Sequence, residues 1–135
     1  MSLAFQKLNI FPLNLSNAGY NLGSDQLRVV LTDTAPTATV TSFAGEIAYT
    51  NFSGANPTYL TTTSNTQTSG VQKLIMANLT MTSIGTIPQW RYIGIYDQTT
   101  SKVIAWFDYG SEVNMLNTDT ITFNFDATNG LLQIS

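Results

Sequence analysis

Short apolar or alternating stretches recur along the chain, and turn-forming residues separate them. Segment 27–32 (LRVVLT) is rich in β-branched and apolar residues, 90–97 and 102–109 are apolar and β-prone, and 120–125 alternates strictly between apolar and polar positions. Little of the chain shows a helical period. Short strands at this spacing predict an all-β protein, an antiparallel β-sandwich or jelly-roll-like fold with little helix.

Turn signals predict how these strands are connected. Residues 98–101 (QTTS) lie between two strand-like segments, which predicts a hairpin of 90–97 with 102–109. Asn129-Gly130 is a strong short-range hairpin signal, and it predicts that 131–134 returns beside 120–125.

The middle of the chain is less regular. A short helix or single turn is expected within 42–49, and 50–70, composed mostly of Thr, Ser, Asn, Gly and Pro, is expected to be an irregular loop with one edge strand. Segment 71–82 is expected to be one long strand. The alternation of apolar positions predicts a core that contains Val29, Leu31, Ile93, Ile95, Ile104, Trp106, Ile121, Phe123 and Phe125.

The first 24 residues differ from the rest, which predicts an N-terminal arm or edge strand with a hinge loop over 1–24 and a β-sandwich domain over 25–135. Six apolar residues fall within eleven positions, and a turn-rich stretch, 16–24, follows them. Uncovered, such a run would form a sizeable apolar patch. We therefore expect a contact arm over 1–16, and the alternative is an ordinary first strand of the sandwich. The expected interface residues are Phe5, Leu8, Ile10, Phe11 and Leu13.

Charge is scarce, and this excludes several partners. Only 10% of the residues are charged and the net charge is −3, while 21 Thr, 12 Asn and 11 Ser supply the polarity. Five scattered cations cannot neutralise a phosphate track, so no nucleic-acid partner is expected. No apolar run approaches the length of a membrane helix and no secretory signal is visible, so no membrane partner is expected either.

Candidate chemistry is sparse. The chain has no Cys and no His, which removes disulfides, thiolate nucleophiles, zinc–sulfur sites and the usual general base. The acidic residues Asp97, Asp119 and Asp126 lie at predicted strand ends, where Asp favours turns. Paired carboxylates of a glycan hydrolase, or a calcium site, are minor alternatives that would use Asp97, Asp108, Glu112, Asp119 and Asp126. We expect no enzyme, no catalytic residue, no metal and no cofactor.

Six aromatic residues concentrate on the predicted hairpin and allow two interpretations. Exposed, they would form a sugar-stacking platform, as in a carbohydrate-binding module; buried, they would be the core of the sandwich, which we favour. They are Trp90, Tyr92, Tyr96, Trp106, Phe107 and Tyr109.

Four short motifs, in order, carry a resemblance to a known group. They are LTDTAP at 31–36, RYIGIYD at 91–97, WFDYG at 106–110 and TITF at 120–123. In this order and spacing they resemble small β-rich virion structural proteins of tailed bacteriophages, over about residues 25–135. Segment 50–70 departs from that group, because it is Thr-rich where more Gly is expected.

The resemblance implies a role in the virion and no chemistry. It implies a capsid decoration (cement) protein on the head surface, assembled in the bacterial cytoplasm, with the major capsid protein as partner. It also implies self-association into a homo-trimer or dimer. A tail or fibre component of the virion and a carbohydrate-binding module remain the alternatives.

Overall fold

The apolar and β-branched segments fold into nine short strands within residues 5–134, the part of the chain that a computed structural model describes. Strand makes up 42% and helix 7%, which confirms the predicted antiparallel, sandwich-like all-β fold. Residues 1–4 of the predicted arm, and residue 135, lie outside the described part. The strands are β1 (Gln6–Lys7), β2 (Leu27–Thr32), β3 (Thr62–Thr68), β4 (Val71–Met76), β5 (Leu79–Thr82), β6 (Trp90–Asp97), β7 (Lys102–Val113), β8 (Thr120–Phe123) and β9 (Leu132–Ile134).

Three antiparallel sheets make up the fold. The largest has the strand order β1-β7-β6-β2, the second β3-β4-β9, and the third pairs β5 with β8. Segment 58–60 runs along the outer edge of β2, where Leu60 N–H donates to Leu27 O and Val29 N–H donates to Thr58 O, both at 2.9 Å. A helix α1 (Phe11–Ser16) and a 3₁₀ turn (Tyr49–Asn51) complete the regular structure. No helix within 5–134 is long and apolar enough to cross a membrane.

The β6–β7 hairpin is present as predicted, and Asp97 shapes its turn. Its Oδ1 accepts hydrogen bonds from the N–H groups of Thr99 and Thr100 at 3.0 and 3.1 Å. Register shifts occur at Trp90/Tyr92 and Ile95/Tyr96. The first shift breaks simple alternation, so that Trp90 is fully buried while Tyr92 is only half-buried.

The core confirms five of the nine predicted positions and adds others. Val29, Leu31, Ile93, Ile95 and Ile104 are buried. The other four, Trp106, Ile121, Phe123 and Phe125, are half-buried and pack against the core from its margin. Fully buried side chains that were not among the predicted core positions include Phe52, Leu74, Met81 and Trp90.

Segment 71–82 forms two strands and not one. The break lies at Ala77 and Asn78, because β4 pairs with β3 and β9 while β5 pairs with β8 in a different sheet. Asn78 lies where the chain passes from one sheet to the other, and its Oδ1 accepts a hydrogen bond from Phe125 N–H at 2.8 Å. The polar side chain thus replaces the ladder bond that a continuous strand would have made.

The predicted hairpin at Asn129-Gly130 is wrong, although a turn does form there. Asp126 Oδ1 accepts from the N–H groups of Thr128 and Asn129, and Gly130 N–H donates to Asp126 O at 2.8 Å. This local turn directs the chain to β4, which pairs with β9, whereas β8 pairs with β5. Side-chain capping by Asp, and not a two-residue loop, sets the direction.

The middle segment agrees with the two predictions made for it. The single edge strand expected within 50–70 is β3. Of the short helix or single turn expected within 42–49, only the turn is present, at residues 44–45, and the 3₁₀ turn begins at Tyr49. Gly45 there has φ +66°, outside the helical region, and the neighbouring carbonyl of Ala44 accepts a bond from Thr32 Oγ1 at 2.5 Å. Tethering to β2 therefore prevails over the weak helix signal.

Candidate functional site

The five residues expected to form an interface are divided between the core and the surface. Leu8 and Phe11 are buried, with 1% and 4% of their surface exposed. Both side chains belong to the core, which corrects the expectation that they form part of an interface. Phe5 is half-buried and packs edge-on against Phe107, at 5.8 Å between ring centroids. Ile10 and Leu13 are 41% and 55% exposed and can contact another protein directly.

Helix α1 explains why this segment is not an extended arm over its whole length. Only Gln6 and Lys7 are extended, pairing with β7 at its edge. Pro12 lies in the first turn of α1, where a missing N–H costs nothing and the fixed φ favours the helix. One turn of helix buries Phe11 against Tyr20, with rings stacked at 5.5 Å, and leaves Leu13 exposed.

The hairpin aromatics do not form an exposed platform. Trp90 is fully buried, and Tyr92 contacts Trp106 edge-on at 6.2 Å, both half-buried. Tyr96 and Phe107 are likewise half-buried, and Tyr109 is 37% exposed. Packing thus accounts for most of these rings, and the sugar platform expected as the alternative is not found on this hairpin.

Most of the acidic residues lie apart from one another and are engaged in local structure. Within 5–134, no three His, Cys, Asp or Glu side chains lie close enough to hold a metal ion together. Hydrogen bonds from the Arg91 guanidinium, at 2.9 and 3.0 Å, hold the pKa of Asp108 below its usual range. The pKa of Asp126 is also lowered, mainly because backbone N–H groups of Asn129 and Thr128 donate to it.

Asp97 has the opposite shift. Its side chain is completely buried, and burial is the main reason that its pKa is raised; the adjacent Asp25 carboxyl raises it further, and bonds from Thr100 oppose the rise. A raised pKa in a cleft would mark a candidate general acid. Asp97 lies instead beneath the β6–β7 turn, so its raised pKa follows from its structural role in that turn.

The motifs that carry the resemblance come together in the largest sheet. LTDTAP begins in β2, RYIGIYD is β6 and WFDYG is in β7, so three of the four lie on adjacent strands. The Arg91–Asp108 ion pair joins two of them. Gly94 is needed because a Cβ there would overlap the ring of Phe43, which packs directly on the strand.

A polar pocket of about 400 Å³ opens at the outer edge of this sheet, and sequence reasoning missed it. Arg28 on β2 lies at its base. Its Nε donates to Gln98 Oε1 at 2.7 Å, and its terminal nitrogens donate to both carboxylate oxygens of Glu46. Exposed Tyr49 and Tyr59 flank the pocket. These residues are far apart in sequence and form no motif, so only the fold brings them together.

An open apolar groove of about 530 Å³ lies on the opposite face of the same sheet. Its lining includes Val29, Ile93 and Ile95 of the largest sheet and residues of segment 121–126. Phe5 and Phe107 also line it. The half-burial of Ile121, Phe123 and Phe125 follows from this groove, since β8 covers the sheet incompletely.

Comparison with known proteins identifies no relative. No family model matches the chain, and searches of curated proteins and of solved structures found no similar protein.

Proposed function

We propose that this protein is a non-enzymatic virion structural protein of a tailed bacteriophage, a capsid decoration (cement) protein on the head surface. The observation that carries the proposal is the ordered set of motifs, three of which lie on the adjacent strands β2, β6 and β7. What supports it is that the motif residues have scaffold roles: Arg91 pairs with Asp108 and Gly94 admits Phe43.

Composition supports the same role. A chain without Cys is indifferent to the change from a reducing cytoplasm to the oxidising exterior. A low charge keeps the repulsion between neighbouring copies small. Repetition across a lattice multiplies modest contacts, so each copy needs only a small adhesive surface.

Ile10 and Leu13 are the proposed contact with the shell or with a sister subunit. Both side chains are exposed at the start of α1, and the buried neighbours Leu8 and Phe11 hold this helix against the core. A contact displayed on a fixed helix loses little conformational entropy on binding. The partners proposed are the major capsid protein and the protein itself, as a homo-trimer or dimer.

Mass spectrometry of purified phage particles tests the location. The protein should be present in many copies per particle, and immunogold labelling should decorate heads. Labelling of tails would favour the tail or fibre alternative over the head. Absence from the particles would overturn the proposal.

Paired substitutions test the contact surface. Ile10→Ser with Leu13→Ser should abolish binding to capsids that lack the protein, or self-association measured by light scattering, without lowering the melting temperature. Ile84→Ser with Leu116→Ser is the matched control, because these residues are 56% and 60% exposed on loops outside α1. Equal loss of binding in both pairs would contradict the assignment of the contact to α1.

A further inference from the structure

The polar pocket at Arg28 has a preformed base. Arg28 lies between two tyrosines in the strand pairing: it is opposite Tyr96 of β6 on one side and forms a β-bridge with Tyr59 on the other. Its guanidinium carbon lies 4.7 Å from the centroid of the Tyr96 ring, and Gln98 accepts from its Nε. The side chain is fixed from three directions, so ordering it costs little when a ligand binds.

The pocket is electrically balanced. Arg28 and Glu46 form an ion pair through two hydrogen bonds, and their side chains are 17% and 32% exposed. The other lining side chains, which include Asn56, Thr58 and Gln98, carry no charge. A phosphate or an amine would have to compete with one member of the pair. The balance therefore favours a neutral ligand rich in polar groups.

Two exposed tyrosine rings supply the apolar part of the pocket. Tyr49 is 55% exposed at the 3₁₀ turn, and Tyr59 is 36% exposed beside Arg28. Aromatic faces are electron-rich and attract the partly positive hydrogens of C–H groups. Around them, amide, guanidinium and carboxylate groups offer paired donors and acceptors. A pyranose ring presents the complementary surface, with a C–H face and a rim of hydroxyl groups.

We propose that this pocket binds a neutral pyranose saccharide. The rings of Tyr49 and Tyr59 contact the C–H face of the sugar, and the Arg28–Glu46 pair donates to and accepts from its hydroxyls. A volume of about 400 Å³ lies within the range of small-molecule sites and accommodates one or two sugar units. The proposal stands apart from the virion role, because no residue of α1 takes part in the pocket.

A titration of the full chain followed by ¹⁵N NMR tests it. The neutral probes are the methyl glycosides of glucose, galactose, mannose and N-acetylglucosamine, and the charged probes are glucuronic acid and glucosamine. At least one neutral probe should give saturable shifts confined to the pocket residues, with a Kd of roughly millimolar order. No saturable shift, shifts centred elsewhere, or tighter binding of a charged probe would overturn the proposal.

Three variants sharpen the result. Tyr49→Ala should weaken the binding of the neutral sugar about fivefold or more, at unchanged melting temperature. Tyr109→Ala removes a ring that is 37% exposed outside the pocket and should leave the affinity unchanged. Glu46→Gln keeps the shape but unbalances the charge, so it should raise the affinity for glucuronic acid. Full affinity in Tyr49→Ala, equal loss in Tyr109→Ala, or no gain in Glu46→Gln would contradict the assignment.

Discussion

At the scale of single residues, the positions that define the fold are mostly small or polar. Gly94 leaves room for the Phe43 ring on the largest sheet. Asp97 and Asp126 close turns with their side chains. Asn78 lies where the chain passes from one sheet to another. None of these roles depends on hydrophobicity. Asp97, Asp126 and Asn78 direct the chain between strands through side-chain hydrogen bonds to the backbone.

Gly94→Ala should destabilise the protein by about 1–3 kcal/mol, because the added Cβ overlaps the Phe43 ring and the half-buried ring has to move. Urea unfolding of the single variants and of the double variant Phe43→Ala/Gly94→Ala measures the coupling. The double variant should lose less stability than the sum of the two single losses. Strictly additive losses would show that the clash is not the cause.

Asp97→Asn should stabilise the protein at pH 7. Because the pKa of Asp97 is raised in the folded state, the stability that its protonated form contributes is present below the unfolded pKa of about 3.9 and is lost as the pH rises through the folded value. Asn stays neutral and its Oδ1 still accepts from Thr99 and Thr100. Urea unfolding between pH 4 and 7 should show the advantage shrinking toward acid pH.

Asp126→Asn is a control in which stability should depend on pH in the opposite direction. Its carboxylate has a lowered pKa, so its contribution is present above the unfolded pKa and is lost as the pH falls through the folded value. This variant should be less stable than the parent at pH 7 and should approach it in acid. A pH-independent difference in either variant would contradict the assignment of the shifts.

At the scale of elements, α1 is the least expected part of the molecule. It places Phe11 in the core and Leu13 in solvent two residues later. Phe11→Ala should therefore cost about 3–5 kcal/mol of unfolding free energy, and Leu13→Ala less than about 0.5 kcal/mol. Denaturant midpoints of the two variants compare them directly. Similar losses would mean that the helix is not docked on the core.

Phe123→Ala separates the margin of the core from its centre. Phe123 is half-buried beside the apolar groove, whereas Phe52 is 2% exposed. Phe52→Ala should cost about 3–5 kcal/mol and Phe123→Ala clearly less, because part of its ring surface already contacts water. Urea unfolding measures both. A larger loss at Phe123 would mean that β8 closes the groove in solution.

The sequence was informative wherever local pattern decides the structure. It predicted β2 and the β6–β7 hairpin, because runs of β-branched and aromatic residues between turn residues depend little on distant contacts. It failed where a side chain redirects the chain: Asn78 divides 71–82, and Asp126 sends β9 to β4 and not to β8. The sequence did not predict the Arg28 pocket, because its lining residues come from β2, from the turn after β6 and from segments 46–49 and 56–59, which only the fold brings together.

At the scale of the whole molecule, the three sheets share one continuous core. One cluster of contacting buried residues includes members of the N-terminal segment, the largest sheet and both smaller sheets. The chain should therefore unfold in one cooperative step, with tryptophan fluorescence and far-UV circular dichroism giving the same midpoint. Separate midpoints would show that one of the sheets is an independent unit.

The outer edge of β3 has a consequence for storage. Its seven residues, TTSNTQT, carry no charge and no Pro, and within 5–134 no backbone hydrogen bond reaches that edge. Proteins usually protect such edges with Lys, Pro or a covering loop, and ladders of Asn and Gln reinforce stacked strands. Concentrated solutions should slowly form thioflavin-positive fibrils from this edge. A single exposed cation, Thr66→Lys, should delay them by repelling like copies, whereas Thr86→Lys, an exposed change in the loop between β5 and β6, should not.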